Sequence, residues 1–264
     1  MHAAQSGFLS PSGRGPSEAR GEGALALRTR STDRQMRLTD RHVALMKREL
    51  PDPGPMPGYD KMTEDDYARV MAELIGGMPE GATMWIFAYG SLIWKPACEF
   101  VEMRTGILRA WHRAFCLGWN TRFRGSDETP GLMLALDHGG SCKGVLYRLP
   151  PDAISANLRK LLEREMSLKP SAFPPRWVTV ESADGPVRAI TFCIDRRSPR
   201  YITGLTEEQV ADVLAKATGH RGSMAEYLHA TVRHLEDLGI HDHHLWRLQE
   251  LVAERIDAAY PTER

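Results

Sequence analysis

The sequence predicts an α+β domain built on a small, closed or nearly closed sheet with helices packed around it. Three observations carry this reading. Between Met84 and Ile194, apolar runs of strand length recur, separated by turns containing Gly or Pro. One amphipathic helix interrupts them. After Ile194 the pattern changes to three helices, each opened by a capping residue.

The chain has 264 residues, 42% apolar and 26% charged, which suits one substantial globular core. Basic and acidic residues balance at 34 each, so charge gives no reason to expect a nucleic-acid partner. No apolar run approaches the length needed to span a membrane. The four cysteines, Cys98, Cys116, Cys142 and Cys193, form no Cys-x-x-Cys pair and lie near strand-like runs, so buried reduced thiols are expected.

Residues 1–35 are rich in Gly, Ser, Arg and Pro without apolar periodicity, and read as a disordered extension. They hold no apolar stretch of the secretory kind. They carry no acid before Glu18, but they also lack the amphipathic basic helix of a transit peptide. A chain starting near Thr39 is therefore expected to keep fold and activity. Residues 36–83 read as short helices and a linker. The first helix covers 38–50, capped by Thr39, with Val43, Met46 and Leu50 on one side, and Pro51-Asp52-Pro53-Gly54-Pro55 stops it. The second covers Thr63 to Ile75, with Tyr67, Val70, Met71 and Leu74 on one side and Gly76-Gly77 at its end.

The domain proper spans 84–260. Strands are expected over 84–89, 100–108, 110–118, 131–137, 142–149, 175–181 and 187–194, with hairpin turns at Gly139-Gly140 and Asp184-Gly185. The interrupting helix starts after Pro150-Pro151-Asp152 and runs to about Leu168. At about 100° per residue, Ile154, Leu158, Leu161 and Leu168 share one apolar stripe. Glu165 lies in the middle of that stripe and Glu163 on the opposite face. A carboxylate on a core-facing stripe needs a reason, because desolvation disfavours its charge. It either turns out to solvent or to Arg176, or it faces a pocket with a raised pKa, ready to move protons. In the C-terminal part, Thr206-Glu207-Glu208-Gln209 and Ser223-Met224-Ala225-Glu226 read as capping boxes, opening helices to about Ala217 and Gly239. Asp242 caps the last, which runs to about Ala259.

Met84-Trp85-Ile86-Phe87-Ala88-Tyr89 is a buried strand that breaks at Gly90-Ser91. Glycine there permits a close backbone approach, so Tyr89-Gly90-Ser91-Leu92 reads as a strand ending in a pocket-forming turn. Arg122 and Arg124 precede Pro130-Gly131 in a loop, where they are either solvated or neutralise a substrate carboxylate. His241, His243 and His244 flank Asp242, but successive residues at a helix start diverge, and they read as solvated cap residues. No metal and no cofactor is expected.

The segment Phe87-Ala88-Tyr89-Gly90-Ser91-Leu92-Ile93-Trp94-Lys95-Pro96 resembles the ChaC family of γ-glutamylcyclotransferases, which act on glutathione. Trp111-His112-Arg113-Ala114-Phe115, Pro130-Gly131-Leu132 and Gly144-Val145-Leu146-Tyr147-Arg148-Leu149-Pro150 are similar to the same family in the same order, and the resemblance covers about 84–255. It implies a small mixed β-barrel of the γ-glutamylcyclotransferase type. It also implies that the turn formed by Tyr89, Gly90, Ser91 and Leu92 holds the γ-glutamyl head, with Glu165, preceded by Arg164, as acid/base. Glu226-Tyr227-Leu228 resembles a further family segment, although Gly222-Ser223-Met224 departs from the usual Asn-containing form; it makes Tyr227 a candidate substrate contact. The implied activity is cleavage of glutathione to 5-oxoproline and Cys-Gly, a lyase reaction. It would take place in the cytoplasm, in a monomer or weak dimer, with no nucleic-acid or membrane partner. Turnover of other γ-glutamyl amines, or a regulatory binding role without chemistry, are the alternatives.

Overall fold

The structure is a computed structural model, and it describes residues 35–261. The expectation of disorder over 1–35 lies, but for its last residue, outside the described residues. In chain order the elements are α1 (Asp40–Leu45), β1 (Asp60–Lys61), α2 (Glu64–Gly76), β2 (Trp85–Ala88), α3 (Ser91–Trp94), β3 (Glu102–Asn120) and β4 (Gly131–Arg148). A short 3₁₀ turn (Pro151–Ala153) then leads into α4 (Ile154–Glu165), β5 (Leu168–Lys169), β6 (Pro175–Ser182) and β7 (Gly185–Phe192). The chain finishes with α5 (Glu207–Leu214), β8 (Thr218–Gly219), β9 (Gly222–Ser223), α6 (Met224–Asp237) and α7 (His243–Ala259).

Five strands close into a barrel in the order β2-β4-β3-β6-β7. Every pairing is antiparallel except the closing one, where β2 meets β7 in parallel at Ile86 and Ile190. Closure leaves no free edge. Ile86, Phe87, Leu132, Leu136, Leu146 and Phe192, on the two faces of these strands, are almost wholly buried in the core. Helix α4 presents Asn157, Leu158, Leu161 and Leu162 to the core.

Some expectations change. The runs 100–108 and 110–118 are one strand, β3, and the runs 131–137 and 142–149 are one strand, β4. Gly139-Gly140 is therefore a bend within β4 and not a hairpin. The ladder jumps from Arg109–Ser141 to Trp111–His138, with Gly139 and Gly140 at φ 105° and 65° facing Ala110 at φ 63°. Paired positive-φ glycines suit a hairpin and a bulge equally well, and long-range pairing decides between them. The true β3–β4 turn is the 121–130 loop, where Asn120 Oδ1 accepts from the amides of Arg122, Phe123 and Arg124. The β6–β7 turn falls where expected, with Gly185 at φ 108° opposite Ser182.

Other changes concern helix ends. Helix α4 stops at Glu165, because Leu168 pairs with Lys61 as a strand and the residue before Pro170 must be extended. Helix α1 is shorter than expected and ends before Met46. The Thr63 and Thr206 capping boxes form. At α6 only half forms: Ser223 accepts from the Glu226 amide, while the Glu226 carboxylate turns to Arg124.

A buried cation locks these parts together. Arg113, on the inner face of β3, keeps only 2% of its side-chain exposure. Its Nε donates to Tyr89 O at 2.6 Å, its Nη1 to Asp242 Oδ2 at 2.9 Å, and its Nη2 to Lys143 O. Asp242 also caps α7 by accepting from Leu245 N at 3.1 Å. Among the described residues no helix is long and apolar enough to cross a membrane.

Arg113→Met should lower stability by about 3 kcal/mol in urea unfolding, because it leaves Asp242 and two carbonyls without their donor. A loss under about 1 kcal/mol would show that water replaces the guanidinium. The N-terminal boundary also moves. Leu38 is fully buried and its amide donates to Gln249 Oε1 at 2.8 Å. A chain starting at Gln35 should melt with the full chain. One starting at Thr39 should melt several degrees lower, since burying a leucine is worth about 2 kcal/mol.

Candidate active site

Strand β2 delivers Tyr89 to one end of the barrel, where Arg113 holds its carbonyl. The chain then turns through Gly90 into α3, a single helical turn closed by Ile93 N→Gly90 O and Lys95 N→Ser91 O, both 2.9 Å. Close approach favours glycine at position 90. A Cβ at this position would sit 3.0 Å from Tyr227 Oη and 3.4 Å from Leu134 Cδ2. Tyr227 comes from α6 and is held edge-on by Trp94 and Phe115, with the Arg124 guanidinium over its ring.

The last residue of α4 brings Glu165 to the same place. Its side chain keeps 16% exposure, and what it faces is a small cavity. Burial pushes its carboxyl above the ordinary value, against the opposing pull of the Arg164 guanidinium, whose Nε lies 3.2 Å from Oε1. The negative end of the α4 dipole acts in the same direction as burial. Burial and then the Glu165 charge push Tyr227 up to about 12 and Tyr89 well above its usual range, so both phenols are proton donors at neutral pH. Glu163, as expected, is on the far face, paired with Arg159 at 2.9 Å.

Tyr89, Gly90, Ser91, Leu92, Glu165 and Tyr227 all line one inner cavity of about 50 Å³. It adjoins an outer chamber of about 180 Å³, with Ser91, Leu117, Met133, Glu165 and Phe173 common to both. The structure thus brings every candidate together. The remaining candidates do not line either chamber. Arg176 is exposed on β6 and is not the partner of Glu165. Arg122 pairs with Asp52 at 2.7 Å and Arg124 with Glu226 at 2.6 Å. His241 and His244 pair with Glu236 and Glu207, beside a separate cleft of about 620 Å³. That cleft and another of about 630 Å³ are larger, but neither contains Glu165 or the turn. Among the described residues no metal-ligating cluster forms. The four cysteines are free, and burial pushes Cys98 and Cys142 up to about 11 and Cys116 and Cys193 up to about 12, so none is a thiolate at neutral pH.

Two contributors were not singled out from sequence. Arg164 ties α4 to the turn, with Nη2 donating to Ser91 Oγ at 3.0 Å and Nη1 to Lys95 O. Its place in the last turn of a helix was the available signal. Arg113 shares the parity of Phe115 along β3, which alternation could have shown.

The Gly90–Tyr227 contact makes a specific claim. Gly90→Ala should cost stability in the native background and cost measurably less in a Tyr227→Phe background, where the opposing oxygen is gone. Equal melting-point losses in both would mean that the phenol moves aside freely.

Comparison with known proteins places this geometry. A model of the ChaC-like protein family matches residues 84–255. The Escherichia coli (strain K12) glutathione-specific gamma-glutamylcyclotransferase is 41% identical over 176 residues, covering 66% of this chain and 75% of that protein. The Homo sapiens glutathione-specific gamma-glutamylcyclotransferase 1 is 31% identical over 190 residues, covering 69% and 83%. Among solved structures, the yeast gamma-glutamyl cyclotransferase specific to glutathione superposes with a TM-score of 0.59 at 20% identity, over 66% of this chain and 97% of that one, a likeness of fold. With the barrel, the turn and the matched span in agreement, the chain belongs to the ChaC-like protein family.

Proposed function

We propose that this protein cleaves glutathione to 5-oxoproline and Cys-Gly by intramolecular cyclisation, with Glu165 as the acid/base. The observation that carries the reading is the buried carboxyl of Glu165 facing the Tyr89-Gly90-Ser91-Leu92 turn across one cavity. The names of the relatives support the choice of substrate.

The γ-glutamyl α-amine is protonated in water and must lose a proton to become a nucleophile. Glu165, ionised in the complex, accepts it. The nitrogen attacks the γ-carbonyl carbon of its own chain, a five-membered ring closes, and proximity makes that attack effectively unimolecular. The C–N bond to the cysteinyl residue breaks as Glu165 returns the proton to the departing nitrogen, and the second proton of the ring nitrogen, lost as the lactam forms, ends on the free amine of Cys-Gly. Raising the pKa of Glu165 suits the first half, because a more basic carboxylate takes the amine proton more readily. The amides at the turn and the Tyr89 and Tyr227 hydroxyls, as donors, hold the developing oxyanion and the α-carboxylate. Free thiols in the fold suit a reducing compartment, and we place the reaction in the cytoplasm, in a monomer or weak dimer.

Glu165→Gln should keep the fold and lose about 10²–10⁴-fold in rate of 5-oxoproline release by mass spectrometry, while Glu163→Gln stays near wild type. Near-normal rates in Glu165→Gln would remove the assignment. The base must be ionised, so the rate should fall as pH drops through a midpoint above that of an ordinary glutamate. N-acetylated glutathione should release no Cys-Gly, since its nitrogen cannot cyclise. Release at a comparable rate would indicate hydrolysis by another nucleophile.

A further inference from the structure

The outer chamber holds a cation that the reaction as described leaves without a task. Arg200 lines this chamber of about 180 Å³ together with Glu165, Arg164 and Phe173, and it is absent from the inner cavity. Its backbone is fixed. Its carbonyl accepts from Gly118 N on β3 at 2.9 Å, and its amide donates to Ser198 Oγ at 3.2 Å. Its side chain is the opposite. Nε is fully buried and has no hydrogen-bond partner among the described residues, and none of their carboxylates lies within ion-pair distance. The nearest compensating group is the Tyr59 ring, 5.7 Å from the guanidinium carbon. The neighbouring arginines differ: Arg122, Arg124 and Arg164 each face an acid. A half-buried guanidinium without a counter-ion is costly, and its partial burial lowers its proton affinity. A carboxylate arriving in the chamber would remove that cost and accept a charge-assisted hydrogen bond from the guanidinium.

We infer that Arg200 binds the C-terminal carboxylate of the leaving peptide, which makes this a site for γ-glutamyl peptides in preference to uncharged γ-glutamyl amines. The inference rests on the cyclotransferase reading, because that reading seats the γ-glutamyl head in the inner cavity. The scissile nitrogen then lies at the boundary the two chambers share, beside Glu165, and the departing residues extend into the outer one. The α-carboxylate of the head group is not the partner, since Arg200 does not reach the inner wall. Holding the far end of the leaving group fixes the scissile nitrogen opposite Glu165, so Arg200 is a positioning and specificity-determining residue.

The test uses glutathione and its glycine amide, which differ only in the terminal charge. Binding is measured by calorimetry on a Glu165→Gln background so that substrate is not consumed, and turnover on the otherwise native chain. Wild type should prefer the free acid by tenfold or more in both Kd and kcat/KM. Arg200→Met should abolish that preference by weakening glutathione alone, mainly through KM, with the amide little changed. Arg200→Lys should restore part of it. If Arg200→Met harms both substrates equally, or if the native chain binds acid and amide alike, the inference is overturned. Those outcomes are separate from failure of the underlying reading, which would appear as no 5-oxoproline from either substrate while the binding preference for the acid persists.

Discussion

The fold depends on how one buried charge is satisfied. Arg113 sits on the inner face of a barrel strand, nearly without water, and a guanidinium there is tolerable only if its donors are met. They are met by three separate parts of the chain: the carbonyl where β2 ends, a carbonyl of β4, and the carboxylate that caps α7. This single side chain therefore sets where β2 stops, and so where the Tyr89-Gly90 turn begins. It also docks the C-terminal helices, which carry Tyr227, against the barrel. The position of the site is a consequence of the position of that charge.

The closed sheet was legible because its runs are short, apolar and punctuated, and the 100–108 and 142–149 runs are paired in the structure as residues Glu102–Leu108 with Cys142–Arg148. The bend was not legible. Gly139-Gly140 satisfies the local requirements of a hairpin, and only the register of a strand about thirty residues away shows that Ala110 bulges opposite it. The helix caps at Thr63, Thr206 and Asp242 were read correctly because a cap is a local contact. The end of α4 was misplaced by three residues because Leu168 continues the apolar period yet is claimed by a strand pair from before the barrel. Local chemistry could be read; competition from distant partners could not.

The candidate site divides in the same way. Glu165 stood out because a carboxylate on an apolar stripe contradicts its surroundings, and the structure resolves the contradiction with a cavity. Tyr89, Gly90, Ser91 and Leu92 stood out as a strand breaking into glycine, and Tyr227 entered by family likeness. That Tyr227 is the reason Gly90 has no side chain could not be known before their elements met, since 137 residues separate them. Arg164 offered only its place in the last turn of a helix, and Arg200 carries no signature in the sequence. Each is defined by what it faces: the first a carboxylate and a hydroxyl, the second the Tyr59 ring and, among the described residues, no acid.

The side chains around the two chambers also constrain the chemistry. A site for acyl transfer to the protein needs a nucleophile with a base beside it. Among the described residues no Cys, His or Lys lines either chamber. The Ser91 hydroxyl is engaged by Arg164 and by Tyr227, neither of which removes a proton at neutral pH. What the site does supply is one carboxyl with a raised pKa, two phenols held protonated, and a turn of backbone amides. That set can accept a proton, return it and stabilise an oxyanion. Chemistry of this kind calls for a substrate that brings its nucleophile with it. A γ-glutamyl group does so, with its free amine a few bonds from its own carbonyl.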